Sequence, residues 1–403
     1  MKVLIIQGAL TAYFRLLLEK LNEQDGLTLA LVIPQTGGIT AGAGVQTDSA
    51  STTFKTYALS EYKAWYGKAF FRGFEQVTLD FSPDVILCGY PYFMYFLFDK
   101  SLYRRLRNRH IRFVYRDIPW NIPFYGKAAQ YFSANKNRTE SGSETQAKGF
   151  ISLLKFLLLT EVRKRYLDLA DAHLYYTDEA RELIGSYGVE TRRIFISANS
   201  PDTDVLLRVR DELLAGEDLP VIDPFSLIHV GRLVRWKRVD LILEAVALLV
   251  SQVPRAELYI AGHGPEEENL RKQAAKLGIR DRVHFLGGVY DPKILGRHLL
   301  SAGVYVLAGM GGLSINDAMC FAKPVVCAEA DGTERRLVRE EYNGLYFEPG
   351  NSASLAEKLR TLLGDTQKLK LYGDRSLSII KNEVNIHTVL REYRAAFNFA
   401  AAS

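Results

Sequence analysis

Residues 303–344 read GVYVLAGMGGLSINDAMCFAKPVVCAEADGTERRLVREEYNG, and the rest of the chain is organised around this stretch. An apolar strand is predicted over 304–307, followed by a glycine cluster, a helix over 313–321 and a second buried strand over 324–327. Glycines between a strand end and a helix start let backbone N–H groups approach a ligand, and the helix dipole favours an anion there. Polar groups for such a ligand are expected from Ser314, Asn316 and Asp317 in the first helical turn. The pattern is typical of an α/β ligand-binding crevice.

Apolar runs of strand length recur on both sides of this stretch. In the second half they are predicted strands over 226–230, 256–261, 282–286, 304–307 and 324–327. In the first half they cover 2–7, 27–33, 84–88, 111–115, 172–176 and 193–198. Helical spacing favours helices over 12–22, 59–80, 91–109, 150–169 and 365–400. Alternating strands and helices with short connections indicate two Rossmann-like, doubly wound parallel sheets, an α/β fold class.

Three segments interrupt the alternation. A Gly- and Thr-rich loop is expected over 35–45, and a polar loop over 133–149. Three prolines bracket a charged stretch over 199–223, which we take as the hinge between the halves. At 403 residues the chain is long enough for two domains, each with its own core.

Several classes of protein are disfavoured by composition. The sequence holds no apolar run of eighteen residues, and its start, MKVLIIQGAL, is interpreted as a first buried strand rather than a signal peptide. Cys88, Cys320 and Cys327 are scattered and lack metal-site spacing, which favours core thiols in a reducing cytoplasm. No motif of a nucleic-acid-binding protein is present. We therefore predict a cytoplasmic protein that binds no nucleic acid and no metal.

The charge is uneven although the net formal charge is only +5. Residues 100–170 hold fifteen Lys and Arg against five Asp and Glu. Such a basic face suggests an anionic partner. The basic, apolar segments 102–112 and 150–166 either rest on an anionic bilayer or are ordinary helices with a charged outer face.

Three further motifs each follow a predicted strand of the second half. HVGRLVRWK, residues 229–237, sets Arg232 and Lys237 near the crevice, either as phosphate-binding cations or as part of a solvated loop. In AGHGP, residues 261–265, Gly264 allows a tight turn, and His263 either contacts a ligand or is merely exposed. In GGVY, residues 287–290, a flat base could lie against the backbone at Val289.

The order of these motifs, together with ERRLVREEYNGLYFEPGN and TRRIFISANSPDTDVL, resembles the donor domain of GT-B glycosyltransferases, specifically the retaining family-4 group. The resemblance covers residues 174–349 well and the first half in outline. It implies two Rossmann-like domains facing a cleft, with an N-terminal acceptor-binding domain over 1–204 and a nucleotide-sugar-binding domain over 205–380. A C-terminal helix over 381–403 is expected to pack back on the N-terminal domain.

The resemblance also implies roles for individual residues. Arg232 and Lys237 match the pair that neutralises the donor diphosphate, where leaving-group charge develops. Asp317 matches the second acid of the family's Glu-x7-Glu motif, which holds the ribose hydroxyls. Glu334 matches a glutamate often found after the next strand, although a helix cap or a surface role is equally compatible. The remaining donor-binding residues expected from the motifs are Gly8, Gly231, His263, Gly264, Val289, Gly311, Gly312, Leu313 and Ser314.

The chain departs from the family pattern at two positions. Gly309 stands where the first Glu of Glu-x7-Glu belongs. Arg116-Asp117 stands where the family often has His-Asp, and Arg116 cannot be a general base because it stays protonated. It is expected instead to hold a phosphate or stabilise the leaving group, while Asp117 either accepts a proton from the acceptor hydroxyl or pairs with Arg116.

The motifs and the resemblance together predict a metal-independent, retaining glycosyltransferase that uses a UDP- or GDP-sugar as co-substrate and no further cofactor. Its acceptor would be a glycan, a glycolipid or another lipid-linked molecule. Peripheral contact with a membrane through the basic face is a further expectation. The alternative is a non-catalytic nucleotide-sugar-binding or partner subunit on the same fold.

Overall fold

The computed structural model describes residues 1–35, 51–119, 122–134, 150–217, 221–330 and 332–403. The loops predicted over 35–45 and 133–149 lie almost wholly outside these ranges. The described residues form two compact units. The first contains residues up to 198 together with 387–403, and the second contains 199–386.

The first unit is built on a seven-stranded parallel sheet in the order β3-β2-β1-β6-β7-β8-β9. Its strands are mostly buried apolar runs, as expected for a parallel sheet covered on both faces, except for the edge strand at residues 55–59, whose residues are exposed or partly exposed. They are β1 (Lys2–Ile6), β2 (Thr28–Pro34), β3 (Lys55–Leu59), β6 (Val85–Cys88), β7 (Arg112–Asp117), β8 (Ala172–Tyr175) and β9 (Ile194–Ile196). A separate antiparallel hairpin pairs β4 (Glu61–Lys63) with β5 (Ala69–Phe71).

The helices of the first unit cover this sheet. They are α1 (Ala12–Asn22), α2 (Phe74–Phe81), α3 (Met94–Phe98), α4 (Lys100–Asn108), α5 (Ala128–Ala134), α6 (Phe150–Asp168), α7 (Ala180–Gly185) and, in 387–402, most of the last helix of the chain. That last helix packs within this unit, with the Phe399 ring 5.6 Å from the Phe195 ring on β9.

Two predicted helices of the first unit are wrong in extent. The stretch predicted as a helix over 59–80 contains the β4–β5 hairpin, and only its end, α2, is helical. The helix predicted over 91–109 is two helices, because the Asp99 carboxylate accepts from the Leu102 N–H and starts α4 afresh.

The second unit holds a six-stranded parallel sheet in the order β12-β11-β10-β13-β14-β15. Its strands are β10 (Asp223–Val230), β11 (Glu257–Ala261), β12 (Val283–Gly287), β13 (Ala302–Leu307), β14 (Val325–Ala328) and β15 (Gly344–Phe347). The predicted α/β class with two parallel sheets is confirmed.

The helices of the second unit include one where a hinge was expected. They are α8 (Thr203–Ala215), α9 (Val239–Val250), α10 (Glu267–Lys276), α11 (Pro292–Ser301), α12 (Ser314–Cys320), α13 (Ser352–Leu363) and α14 (Thr366–Asn382), and α15 (Ile386–Ala402) then returns to the first unit. The charged stretch taken as a hinge is largely α8, which Asp202 caps through the Val205 N–H and which packs on α11 and α12. None of the helices within the described ranges is both long and apolar enough to cross a membrane.

Candidate functional site

The strand order of the second sheet defines a crevice. β10 and β13 are neighbours at the centre, and the chain order reverses between them. In open parallel sheets, ligands bind beyond the carboxyl ends of the strands at such a reversal. The loops that follow β10 and β13, residues 231–238 and 308–313, meet at this point.

Lys237 joins these two loops. Its side chain is buried, and its ammonium donates to the carbonyl oxygens of Met310, at 2.9 Å, and Gly311, at 2.6 Å. The Met310 N–H in turn donates to the Trp236 carbonyl. A Cβ built on Gly312 would lie 3.2 Å from the Lys237 nitrogen. The structure therefore brings Lys237, Gly311 and Gly312 together, with a positive charge under the glycine loop.

Gly309 is packed directly against the loop after β10. A Cβ built there would lie 2.1 Å from the Trp236 carbonyl oxygen and 2.7 Å from the Lys237 carbonyl carbon. No side chain fits without moving backbone. The absence of a carboxylate at this position is therefore enforced by the path of residues 236–237.

Backbone hydrogen bonds also join the loops after β10 and β11. The Gly231 N–H donates to the Ala261 carbonyl, and the Leu233 N–H to the His263 carbonyl. A Cβ on Gly262 would lie 1.8 Å from the Gly231 carbonyl oxygen, and one on Gly264 would lie 2.4 Å from that of Leu233. Both glycines are required because backbone passes where a side chain would stand.

Three predicted ligand residues are at the surface of this unit. The exposed Arg232 guanidinium is 5.9 Å from the Trp236 ring. His263 is exposed, and its Nδ1 is 3.1 Å from the Tyr290 hydroxyl, which joins the loops after β11 and β12. Val289 is partly exposed in the same loop as Tyr290. The side chains of His263 and Tyr290 are both exposed to solvent.

His229 is a residue whose part in the site the sequence motif did not reveal. It is fully buried at the end of β10, and its Nδ1 is 3.0 Å from the Val306 carbonyl oxygen on β13. Because a carbonyl can only accept, Nδ1 carries the proton. Burial lowers the pKa of His229 to about 4, so the ring is neutral. The only indication in the sequence was the histidine itself, which lies in the mostly apolar run SLIHV, residues 226–230.

The start of α12 differs from the expectation. Ser314 and Asn316 were expected to offer polar groups to a ligand, but both side chains are buried. The Ser314 hydroxyl is bonded to that of Tyr305 at 2.7 Å, and the Asn316 amide donates to the Asn199 carbonyl. Leu313 is the N-cap and provides no capping side chain to the first N–H groups of this helix.

Asp317 is the one carboxylate in that turn. It is partly exposed, and its carboxylate forms no hydrogen bond or ion pair with another described residue. Burial raises the pKa of Asp317 to about 7. Near neutral pH, a carboxyl group with this pKa is partly ionised and partly protonated.

Glu334 lies in a short 3-10 helix, Thr333–Arg336, after β14. Its side chain is buried, and one carboxylate oxygen accepts from the N–H groups of Ala330, at 2.8 Å, and Gly332, at 3.2 Å. Glu334 therefore shapes the loop after β14. Of the alternatives for Glu334, the surface role is excluded because the side chain is buried, and its donor-binding role stays a prediction.

In the first unit, Gly8 follows β1, and Arg116 and Asp117 end β7. The Asp117 carboxylate accepts from the Tyr115 hydroxyl at 2.5 Å and from the Ile118 N–H at 2.8 Å. Burial raises the pKa of Asp117. These hydrogen bonds do not join Asp117 to Arg116, which was the alternative for Asp117. Adjacent residues of a strand point to opposite faces of the sheet.

Arg116 is enclosed by aromatic rings. Its guanidinium carbon is 4.5 Å from the Phe14 ring, 5.2 Å from that of Tyr176 and 6.0 Å from that of Tyr393. A terminal nitrogen donates to the Tyr176 hydroxyl, and the buried Nε has no partner in the described part of the chain. These cation–π contacts stabilise the positive charge of Arg116, a role for which a carboxylate would otherwise be expected.

Neither unit presents a metal-binding cluster: across the described ranges, no group of three His, Cys, Asp or Glu side chains is arranged to hold an ion. The three cysteines are buried free thiols. Lys237 and, at the surface, Arg232 supply positive charge at the crevice of the second unit.

Comparison with known proteins finds similarity to glycosyltransferases, chiefly over the second unit. Residues 218–376, most of the second unit, match the family described as "Glycosyl transferases group 1". A D-inositol 3-phosphate glycosyltransferase of Geodermatophilus obscurus is 30% identical over 239 residues, which are 56% of this chain and 52% of that protein. The chain spans about half the length of the first curated relatives that it matches.

Two solved structures extend the likeness in fold to both units. A sucrose-phosphate synthase of Thermosynechococcus elongatus has a TM-score of 0.67 at 16% identity and covers 100% of both chains. Anabaena HepE, solved in complex with UDP, has a TM-score of 0.65 at 17% identity and covers 99% of this chain and 100% of its own. At these identities the likeness shows the fold, which is that of GT-B glycosyltransferases.

Proposed function

We propose that this protein is a glycosyltransferase that moves a sugar from a nucleotide diphosphate-sugar to a hydroxyl acceptor, with retention at the anomeric carbon and without a metal ion. The observation that carries the proposal is the buried Lys237 ammonium beneath the 310–312 loop, at the strand reversal of the second sheet. The family match over 218–376 coincides with that unit.

The second unit binds the donor in this proposal. Lys237 and Arg232 stabilise the diphosphate, whose negative charge grows as the bond to the sugar breaks. The N–H groups of the 311–314 segment approach the phosphates where glycine leaves room. The exposed His263–Tyr290 pair offers a surface for the base, and Asp317 accepts from the ribose hydroxyls. UDP is the first donor nucleotide to test, because HepE was solved with it.

The first unit binds the acceptor, a glycan or a lipid-linked glycoconjugate. Asp117 at the end of β7 is the candidate for accepting the hydroxyl proton, and its raised pKa makes it a better base than an ordinary aspartate. Arg116 contributes positive charge on the opposite face of the same strand. Three buried free thiols support a reducing, cytoplasmic location.

The test is transfer by Arg232→Ala. Because Arg232 is exposed, the variant should keep the urea midpoint of the wild type while losing transfer by about 100-fold or more, the scale of a removed transition-state contact. Arg280→Ala, which removes an exposed arginine of the same unit, is the matched control. Undiminished transfer in Arg232→Ala would contradict the proposal that Arg232 binds the diphosphate. Loss of activity on adding EDTA would contradict the proposal that transfer needs no metal ion.

A second candidate function is a non-catalytic subunit that binds nucleotide-sugars. Gly309 favours it, since the backbone at 236–237 excludes the carboxylate that the family pattern has there. Calorimetry with UDP-sugars beside an assay of nucleoside diphosphate release separates the two. Binding without release supports the subunit, and release that stops in Arg232→Ala supports the enzyme.

A further inference from the structure

A cavity with polar walls lies beside the β4–β5 hairpin of the first unit. Its volume is about 460 Å³, which is within the range of binding sites for small ligands. One wall is the hairpin, and the others are the start of α2 and the helices α3 and α4. We call it the hairpin cavity, and polar groups reach it from Tyr62, Arg72, Glu75, Tyr95, Asp99 and Arg105.

Two walls of the hairpin cavity begin at the same edge of the first sheet. The hairpin follows β3 and α3 follows β6, and both strands belong to the parallel sheet, so their carboxyl ends share one edge. Ligands of open parallel sheets bind beyond this edge. The cavity is therefore built from segments that start where a ligand of the first unit is expected.

Two partly exposed tyrosines form the aromatic part of the cavity. The Tyr95 ring stacks on the buried Phe70 ring at 3.8 Å. The Tyr62 ring meets the Tyr95 ring edge-on at 6.5 Å, and its hydroxyl donates to the Tyr95 hydroxyl at 2.9 Å. Rings held in this way offer an apolar surface to the C–H groups of a ligand, beside hydroxyls that can hydrogen-bond.

Glu75 and Arg105 form a planar ion pair in the wall of the cavity. The Glu75 carboxylate accepts from Nε of Arg105 at 2.6 Å and from Nη2 at 2.9 Å, while Nη1 donates to the Ser101 hydroxyl at 2.7 Å. The Glu75 and Arg105 side chains are 43% and 49% exposed. Such a two-bond pair holds hydrogen-bond acceptors and donors side by side in a fixed plane.

The charges that line the cavity balance. Arg72 is exposed, and its guanidinium carbon is 5.1 Å from the Tyr62 ring. Asp99 accepts from the Leu102 N–H, and a carboxylate has acceptor sites for further hydrogen bonds. The lining thus contains two arginines and two carboxylates. A charged ligand would meet as many repelling as attracting groups, so an uncharged polar ligand fits best.

We propose that the hairpin cavity binds one uncharged sugar unit, with its C–H groups against Tyr62 and Tyr95 and its hydroxyls bonded to Glu75, Asp99 and Arg105. A sugar hydroxyl both donates and accepts, so it needs carboxylates and a guanidinium together. The inference rests on the proposed function only for the role of this sugar, which is a unit of a glycan acceptor other than the unit that receives the transferred sugar.

The experiment is saturation-transfer NMR of the full-length protein with cellobiose, maltose, lactose or N,N′-diacetylchitobiose, in the absence of nucleotide. At least one of these disaccharides is expected to receive saturation. Glu75→Ala/Arg105→Ala should then weaken its affinity about 10- to 100-fold, because hydrogen bonds to charged groups are lost. Since this ion pair is exposed, the urea midpoint should stay close to that of the wild type.

A second set of variants tests the aromatic wall. Tyr62→Ser removes the ring and should abolish binding, whereas Tyr62→Phe keeps the ring and should retain most of the affinity. The matched control is Glu190→Ala/Arg192→Ala, which removes another exposed ion pair of the first unit outside the hairpin cavity. It should bind the disaccharide as the wild type does.

Four results would overturn the proposal. They are saturation of none of the disaccharides, unchanged affinity in Glu75→Ala/Arg105→Ala, an equal loss in Glu190→Ala/Arg192→Ala, or displacement of the disaccharide by inorganic phosphate that Arg72→Gln prevents. The last result would identify an anion site. Because no nucleotide is present, a protein without transferase activity would give the same binding result, so failure of the proposed function is recognised separately.

Discussion

The side-chain nitrogen of Lys237 lies 2.6 Å from the carbonyl oxygen of Gly311, seventy-four residues further along the chain. This bond fastens the loop after β10 to the loop after β13 at the reversal of the sheet. The same ammonium is the cation nearest the glycine loop. One side chain therefore combines a structural role with the candidate role in binding phosphate.

Replacing this lysine should cost stability as well as donor affinity. In Lys237→Met the Met310 and Gly311 carbonyls lose a buried donor, which should lower the free energy of unfolding of the second unit by about 1–3 kcal/mol. UDP should also bind more weakly. Urea unfolding and calorimetry measure the two effects.

Lys276→Met is the control for this change, because Lys276 is exposed on α10. Its unfolding free energy should stay within about 0.5 kcal/mol of the wild type. A Lys237→Met protein as stable as this control would show that the two carbonyl bonds contribute nothing.

Much of the second unit follows from its sequence because its strands are continuous apolar runs. The predicted strands over 304–307 and 324–327 lie between glycine- and proline-containing segments, and they correspond to β13 and β14, both interior strands of the sheet. The first unit was harder. The aromatic stretch over 59–80 lacks the strict alternation of a strand and was predicted as a helix, so the turn near Gly67 that makes part of it a hairpin was missed.

The side-chain contacts of the site could not be predicted from residue type. Ser314 and Asn316 have the polarity of ligand-binding residues, but their partners, Tyr305 and Asn199, come from other segments. Glu334 reads equally well as a surface residue until the loop it fastens is known. Burial of a polar group depends on tertiary neighbours, which a single sequence does not specify.

The close approach of two loops in the second unit makes its glycines sensitive to substitution. In Gly262→Ala, the added Cβ would stand 1.8 Å from the Gly231 carbonyl oxygen, so the loop after β10 must move. We expect destabilisation of about 1–3 kcal/mol, the range for overpacking, and weaker UDP binding. Urea unfolding followed by calorimetry tests both.

Gly185→Ala is the matched substitution, since nothing lies within 4 Å of a Cβ at that position. It should be neutral or slightly stabilising because it reduces the freedom of the unfolded chain. Equal effects of the two substitutions would contradict the steric argument.

A buried histidine should make the first unit sensitive to acid. His173 on β8 is fully buried, and neither ring nitrogen has a hydrogen-bond partner in the described residues. Burial lowers the pKa of His173 to about 3, whereas the unfolded chain takes up the proton near 6.5. The unfolded state therefore binds more protons between these values, and stability falls as the pH falls below 6.5.

His173→Leu removes the proton uptake and keeps the site apolar. The pH dependence of its unfolding free energy between pH 6 and 4 should be shallower than that of the wild type by about 1.4 kcal/mol per pH unit, the value for one proton. Unfolding followed by fluorescence at several pH values measures the slope. Parallel curves for the two proteins would exclude His173 as the group that titrates.

Donor binding should depend on the ionisation of Asp317. Burial raises the pKa of this carboxyl to about 7, so in the folded protein it holds its proton over a range where the unfolded chain has lost it. Its contribution to stability is therefore present below pH 3.8 and lost as the pH rises through about 7. The ionised form is the better acceptor for ribose hydroxyls, so UDP affinity should rise between pH 6 and 8.

The variant Asp317→Asn separates the effect of this ionisation on stability from its effect on UDP affinity. The amide cannot ionise, so the variant should be more stable than the wild type at pH 8 relative to pH 5, while its UDP affinity should be low and independent of pH. Calorimetry at pH 6, 7 and 8 with UDP, and with the corresponding 2′,3′-dideoxy nucleotide, provides the readout. If the dideoxy nucleotide shows the same pH dependence as UDP in the wild type, Asp317 does not act on the ribose hydroxyls.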